Sequence, residues 1–219
     1  MNFPVHRDKR DKIIFPLSLC FSLFLILSNL IASSRLIVTP YFTIPGGLLL
    51  YPFTYVISNI VNEAFGATQT RLMVFYAFLG NLFALCVLKI FSIFPAASPE
   101  VSHAWHTIFD TSPIAFFSSF IAFIISQQLD ITLFQLLKRC LPQFPPWLRN
   151  YFSSSLSQII DTIIVDMGVI YIGMHYSFTQ TLQIMTFSYL YKISSSTLLL
   201  PLFHLSIKRI LNESKIKTR

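Results

Sequence analysis

The sequence predicts an all-α polytopic membrane protein, a bundle of six transmembrane helices, on three observations. Only 11% of its 219 residues are charged and 54% are hydrophobic, whereas a soluble domain carries about 25% charged residues. The apolar residues gather into six runs, each near the ~20 residues that a ~30 Å hydrocarbon core requires. The basic residues fall almost wholly on one side of those runs, which is how a membrane topology is written.

The runs span about 14–33, 47–65, 71–93, 112–136, 151–173 and 181–205. The first follows a basic stretch, as a signal peptide would. It is too long for a signal core, however, and Ile31-Ala32-Ser33-Ser34 is a poor cleavage site, so it is read as a retained span. The second is the shortest and the least apolar. It opens on Pro45-Gly46-Gly47 and contains Pro52, Asn59, Asn62 and Glu63. Such a segment is a broken, re-entrant or kinked helix. Freed backbone groups at depth are tolerated only against protein or water, so it belongs in the bundle interior.

Side follows from Lys and Arg. Arg7, Lys9, Arg10 and Lys12 precede the first run. Arg71 follows the second, and Lys138, Arg139 and Arg149 follow the fourth. Lys208, Arg209, Lys215, Lys217 and Arg219 close the chain. Against these 13 the other side has 2, Arg35 and Lys89, with Lys192 inside the sixth run. The positive-inside rule puts both termini in the cytoplasm and turns the loop 94–111, with Glu100 and Asp110, outward. The expected organisation is a basic tail over 1–13, a transmembrane domain over 14–205 and a second basic tail over 206–219. The expected location is a bacterial inner membrane, with the bilayer as an obligate partner.

The net charge of +7 is a topology signal in this distribution, so no nucleic-acid partner is expected. Cys20, Cys86 and Cys140 lack paired spacing and read as small apolar residues. His103 and His106 are two ligands at most and read as surface residues, so neither a metal nor a cofactor is expected. The chain has no H-E-x-x-H, G-x-S-x-G, P-loop or dinucleotide fingerprint, which disfavours an enzyme.

Ionisable groups inside a membrane span are costly and are functional candidates by default. Here they are Asp130, Asp161, Asp166 and Lys192, with Glu63 near a helix end. Ser126-Gln127-Gln128-Leu129-Asp130 and Ser157-Gln158-Ile159-Ile160-Asp161 both read S-Q-x-x-D. The spacing stacks each Gln over its Asp on one helix face. In consecutive antiparallel helices, the two pairs are expected to meet across one cavity at the bilayer midplane, where transporters often hold substrate. Carboxylates and amides among many aromatics suit a small, flat, polar heterocycle with several N–H donors. The competing reading is that the pairs are interhelical glue worth about 1 kcal/mol. Asn59 and Glu63 share a face of the second segment, where Glu63 is either functional or a helix-end residue. Arg149 anchors the fifth segment or pairs with Glu63 or Asp161. Lys192 neutralises an interior Asp or touches ligand. Asp166, five residues past Asp161, is expected on another face.

These residues carry a resemblance. Ser28-Asn29, Pro45-Gly46-Gly47 through Tyr51-Pro52, Asn62-Glu63-Ala64-Phe65-Gly66 and Arg71 occur in order. They are followed by Ser126-Gln127 with Asp130, Leu148-Arg149-Asn150, Ser153-Ser154, Gln158, Asp161-Thr162, Tyr191-Lys192 and Leu200-Pro201. From about Leu27 to His204 the chain resembles the queuosine precursor transporters, a family grouped with vitamin uptake transporters. The resemblance implies six transmembrane helices and import of a 7-deazaguanine (preQ0, preQ1 or queuine) for tRNA queuosine synthesis, without a dedicated ATPase. It departs from the family's usual pattern at Ser58-Asn59, where an Asp is usual. It departs again at Arg35, where a Lys is common, and at Asp166, where an apolar residue is expected.

The expected function is therefore a secondary importer working by alternating access. Asp130 and Asp161 would bind donor edges of the base with Gln127 and Gln158. Asn29, Asn59 and Glu63 would complete the pocket or couple protons, and Arg149 and Lys192 would balance charge. A homo-oligomer is compatible with this. The alternatives are a substrate-binding subunit of an energy-coupling-factor importer and a paired-aspartate membrane enzyme.

Overall fold

The computed structural model describes residues 7–34, 36–38, 43–109 and 113–215. Arg35 and Asp110, with Lys217 and Arg219 of the C-terminal tail, lie outside the described residues. The chain is a helical bundle, with one small hairpin of β1 (Leu36–Val38) and β2 (Thr43–Pro45) after the first helix. The hairpin is antiparallel and pairs Ile37 with Ile44.

Among the described residues there are eight α-helices: α1 (Arg7–Ser34), α2 (Tyr51–Phe65), α3 (Ala67–Phe91), α4 (Pro99–Phe109), α5 (Pro113–Cys140), α6 (Pro146–Asp166), α7 (Phe178–Leu198) and α8 (Leu200–Lys215), all but α4 on the apolar runs. α1 begins inside the stretch expected as a tail, and α8 continues through most of the other. α4 packs onto the end of α3, where the Trp105 indole donates to Ser92 Oγ at 2.8 Å.

Among the described residues, four helical stretches are long and apolar enough to cross a membrane: Lys12–Ile31, Ala67–Phe91, Phe117–Cys140 and Pro146–Gly173. The other two predicted runs are present as interrupted helices. The second is a 3-10 turn, Gly46–Leu49, leading into the 15-residue α2. At about 2.0 Å and 1.5 Å per residue the two together reach ~30 Å. Pro52 is tolerated because it sits in the first turn, where its missing N–H has no partner to lose. The sixth run divides at Leu199 into α7 and α8. Pro201, two residues on, has no N–H to continue the helical ladder.

Breaks between helices have local causes. Gly66, at φ +85°, joins α2 to α3 alone, a conformation that a Cβ makes costly. Pro145 and Pro146 start α6 several residues before the predicted boundary, since proline favours a first helical turn. Ser177 and Gln180 form a capping box that starts α7. Beyond Asp166, α6 loosens into a π-helix, Met167–Gly173. There Gly168 packs against Ser118 of α5 so closely that a Cβ would overlap the Ser118 side chain.

α2 is the axis of the bundle, with every residue from Thr54 to Asn62 buried. One apolar cluster joins it through Ile57 and Val61 to Phe21 and Leu25 of α1, Met73, Val74 and Ala77 of α3, and Phe123 and Ile131 of α5. A second joins Val56 and Ile60 to Phe134 of α5 and Phe203 and Ile207 of α8. Large side chains such as Phe15, Phe75, Phe83, Phe117 and Leu198 point outward and are exposed. An apolar exterior around a polar interior is what lipid as solvent selects.

Candidate functional site

α5 and α6 run antiparallel and meet through serines and carboxylates. Ser126 Oγ donates to Asp161 Oδ1 at 3.1 Å, and Ser154 Oγ donates to Asp130 Oδ1 at 3.3 Å. The hydroxyl of the first S-Q-x-x-D motif thus meets the carboxylate of the second. This register fixes the depths of the acidic groups along α6. Counting from Arg149 at 1.5 Å per residue, Ser154 stands about 8 Å along the helix, Asp161 about 18 Å and Asp166 about 26 Å.

Three polar layers follow from those depths. At the basic end, Glu63 at the close of α2 receives Lys138 of α5 and Arg149 of α6. Lys138 Nζ lies 3.1 Å from Oε2 and Arg149 Nη2 3.2 Å from Oε1. The Arg149 guanidinium also stands over the Phe134 ring at 5.8 Å. Beside this layer Asn62 Nδ2 donates to the Ile131 carbonyl at 3.2 Å. The three-way ion pair ties three helices together at one end.

The middle layer is Asp130 with Asn59 and Ser154. Asn59 Nδ2 donates to Asp130 Oδ2 at 2.9 Å and to Ser154 Oγ at 3.0 Å. All three residues are buried. Gln127, one turn away on α5, is fully buried, and neither its Oε1 nor its Nε2 has a hydrogen-bond partner. Gln158 Nε2 donates to Ser196 Oγ at 3.0 Å, while its Oε1 has none. An unsatisfied buried polar group costs about 1–3 kcal/mol, so Gln127 and the Oε1 of Gln158 do not add to stability as they stand.

The third layer is a cavity of about 100 Å³ at the end away from Glu63. Ser28 and Asn29 of α1 line it with Tyr51, Phe123, Asp161, Asp166, Ser188 and Lys192. Asp161 is its centre. Tyr51 Oη donates to Oδ1 at 2.9 Å, and Lys192 Nζ donates to Oδ2 at 2.8 Å and to Thr162 Oγ1 at 2.9 Å. The ammonium also lies 5.7 Å from the centre of the Tyr51 ring, within cation–π range. The Ser28 hydroxyl holds the cavity wall by donating to the Gly47 carbonyl at 2.7 Å. Small-molecule sites usually measure ~300–1,000 Å³, so a bicyclic guest requires this wall to yield.

The structure therefore separates residues that the sequence suggested would share one cavity. Asn29, Asp161 and Lys192 line it. Asn59, Asp130, Gln127 and Gln158 form the layer beneath, and Glu63 and Arg149 pair with each other at the far end. Asp166 was expected on another face. It lines the same cavity as Asp161, because the cavity reaches round α6 past Val165. Tyr51 and Ser188 also line the cavity, and Ser126 and Thr162 bond its Asp161 and Lys192; spacing alone did not single these four out. The signal that marks Ser126 is the serine opening S-Q-x-x-D. Tyr51 is marked by its place between a Pro-Gly-Gly turn and a helix. Among the described residues no group of three His, Cys, Asp or Glu side chains is arranged to hold a metal.

Residues 45–206 match the family described as "Putative vitamin uptake transporter". The "Probable queuosine precursor transporter" of Bacillus subtilis (strain 168) is 31% identical over 171 residues, covering 77% of this chain and 74% of that protein. No solved structure matches. The matched region takes in all three polar layers from Gly46 onward. The chain thus belongs to the vitamin uptake transporter family, and it is a multi-pass membrane transporter and not an enzyme.

Proposed function

We propose that this protein imports queuosine precursors, 7-deazaguanine bases of the preQ0, preQ1 or queuine type, across a bacterial inner membrane with both termini in the cytoplasm. The observation that carries this reading is Asp161 in the cavity, set over two buried amides, of which Gln127 has neither polar atom partnered and Gln158 has its Oε1 free. The amidine-like edge of a guanine offers parallel N–H donors to a carboxylate. It replaces the Tyr51 and Ser126 hydroxyls at Asp161 Oδ1 as the wall opens, and the Tyr51 ring stacks on the flat face. Gln127 and Gln158 supply further donors and acceptors as the base moves inward. The relative in Bacillus subtilis bears a matching name.

Alternating access needs one end closed while the other admits substrate. The Glu63, Arg149 and Lys138 layer is that closure at the cytoplasmic end, and the cavity faces the opposite side. Transport follows when binding at Asp161 opens the ion-paired end. The test is uptake of preQ0, preQ1 and queuine by cells that lack their own importer and are given this protein, followed by a tRNA queuosine assay. Queuosine appearing in tRNA on addition of a base supports the reading. Its absence with all three bases, in cells where the protein has inserted, refutes it.

A further inference from the structure

The cavity lining contains two carboxylates, Asp161 and Asp166, and one lysine, Lys192. Lys192 is already committed to Asp161 Oδ2, to Thr162 and to the face of the Tyr51 ring. Asp166 is 7% exposed, and its Oδ2 is buried with no hydrogen-bond partner. The Ser188 hydroxyl lines the cavity with it. The remaining titratable lining group is the Tyr51 phenol, which donates to Asp161. With carboxylates and lysine ionised, the lining carries one negative charge in surplus. The Lys192 charge also reaches Asp166, so one cation is shared between two buried carboxylates. A buried charge compensated only in part is unfavourable, so an occupant that brings a positive charge gains most from this cavity.

We propose that Asp166 is a specificity-determining residue that receives a protonated amine on the substrate. The preferred class is then a flat heterocyclic base bearing an aliphatic ammonium substituent. The inference rests on the reading under Proposed function and deepens it. Asp161 takes the donor edge of the ring and Asp166 Oδ2 takes the ammonium. The two residues stand about 7.5 Å apart along α6 at 1.5 Å per residue. That separation is comparable to the reach of a bicyclic base from its amino edge to a substituent on the opposite side. Ser188 lines the cavity with Asp166, and α6 passes into the π-helix immediately after Asp166.

The test compares 7-aminomethyl-7-deazaguanine, a cation at neutral pH, with the uncharged 7-cyano analogue, using the full-length protein in liposomes. Wild-type protein is expected to favour the amine in KM, and Asp166→Asn to reduce that preference about tenfold or more, the loss falling on the amine-bearing base. Asp166→Glu, which keeps the charge, is expected to retain most of the preference. The ratio of the two KM values on one preparation is independent of how much protein inserts, so poor insertion does not mask the result. An unchanged ratio in Asp166→Asn, or equal losses for both bases, overturns this inference and leaves the proposed function standing. Equal losses would mean that Asp166 takes a proton or a metal cation. Failure of wild-type protein to carry either base overturns both.

Discussion

Replacing Asp161 and Lys192 singly and then together separates what holds the bundle from what moves substrate. Their charged atoms are 2.8 Å apart, and the side chains are 3% and 4% exposed. At an effective dielectric near 20, charges that close attract by about 6 kcal/mol. Removing one partner strands the other in a dry interior at a cost of about 3–5 kcal/mol. Domains are stable by only about 5–15 kcal/mol, so either single change removes a large share. Asp161→Asn keeps an oxygen for Tyr51 and Ser126 to donate to, and its cost is therefore mainly the stranded ammonium. Asp161→Asn with Lys192→Met removes both charges and fills the space, and should recover most of the loss. The expected coupling is about 2–3 kcal/mol. The assay is unfolding in detergent micelles of wild type, both single variants and the double variant, with base uptake measured on the same preparations. The double variant should regain stability and still fail to transport. Costs that add to within about 0.5 kcal/mol would refute the ion pair. Uptake restored in the double variant would refute a substrate role for Asp161.

Three further outcomes follow from the same geometry. Gln127→Leu removes a buried amide with two unpartnered atoms and should raise the unfolding midpoint by the equivalent of about 1–3 kcal/mol, while uptake falls. A variant that loses stability would show that Gln127 is structural glue. Gly168→Ala drives a Cβ into Ser118 and should cost about 1–3 kcal/mol. Adding Ser118→Gly should relieve it, and thermal midpoints of the three proteins decide. At the basic end the two cations should differ. Arg149→Met leaves Glu63 with Lys138 alone and removes the more buried cation, at 7% side-chain exposure, so it should cost about 1–3 kcal/mol. Lys138→Met, at 25% exposure, should cost under about 1 kcal/mol, and equal costs would contradict the assigned depths.

Much of this architecture was legible in the residues. Apolar length located the spans, because lipid admits nothing else, and the Pro-Gly-Gly opening of segment two announced its broken helix. Interior Asp and Lys side chains announced a polar core. Their grouping was not legible, since it depends on how α5 slides along α6. A shift of one turn would have paired Asp130 and Asp161 differently. The observed register brings Ser126, not Gln127, to Asp161. Nor did helical spacing reveal that Asp166 shares a cavity with Asp161. A cavity that curves round a helix gathers faces which periodicity keeps apart. The partners of Glu63 were foreseeable in kind, because Arg149 and Lys138 lie at the same end of the topology.

The most direct test of a transporter built around Asp161 is uptake of a labelled 7-deazaguanine by purified protein alone in sealed liposomes. The account predicts accumulation with wild-type protein, none with Asp161→Asn despite equal insertion, and recovery of the base chemically unchanged. Uptake that appears only when a partner ATPase is added, or that persists in Asp161→Asn, would contradict it.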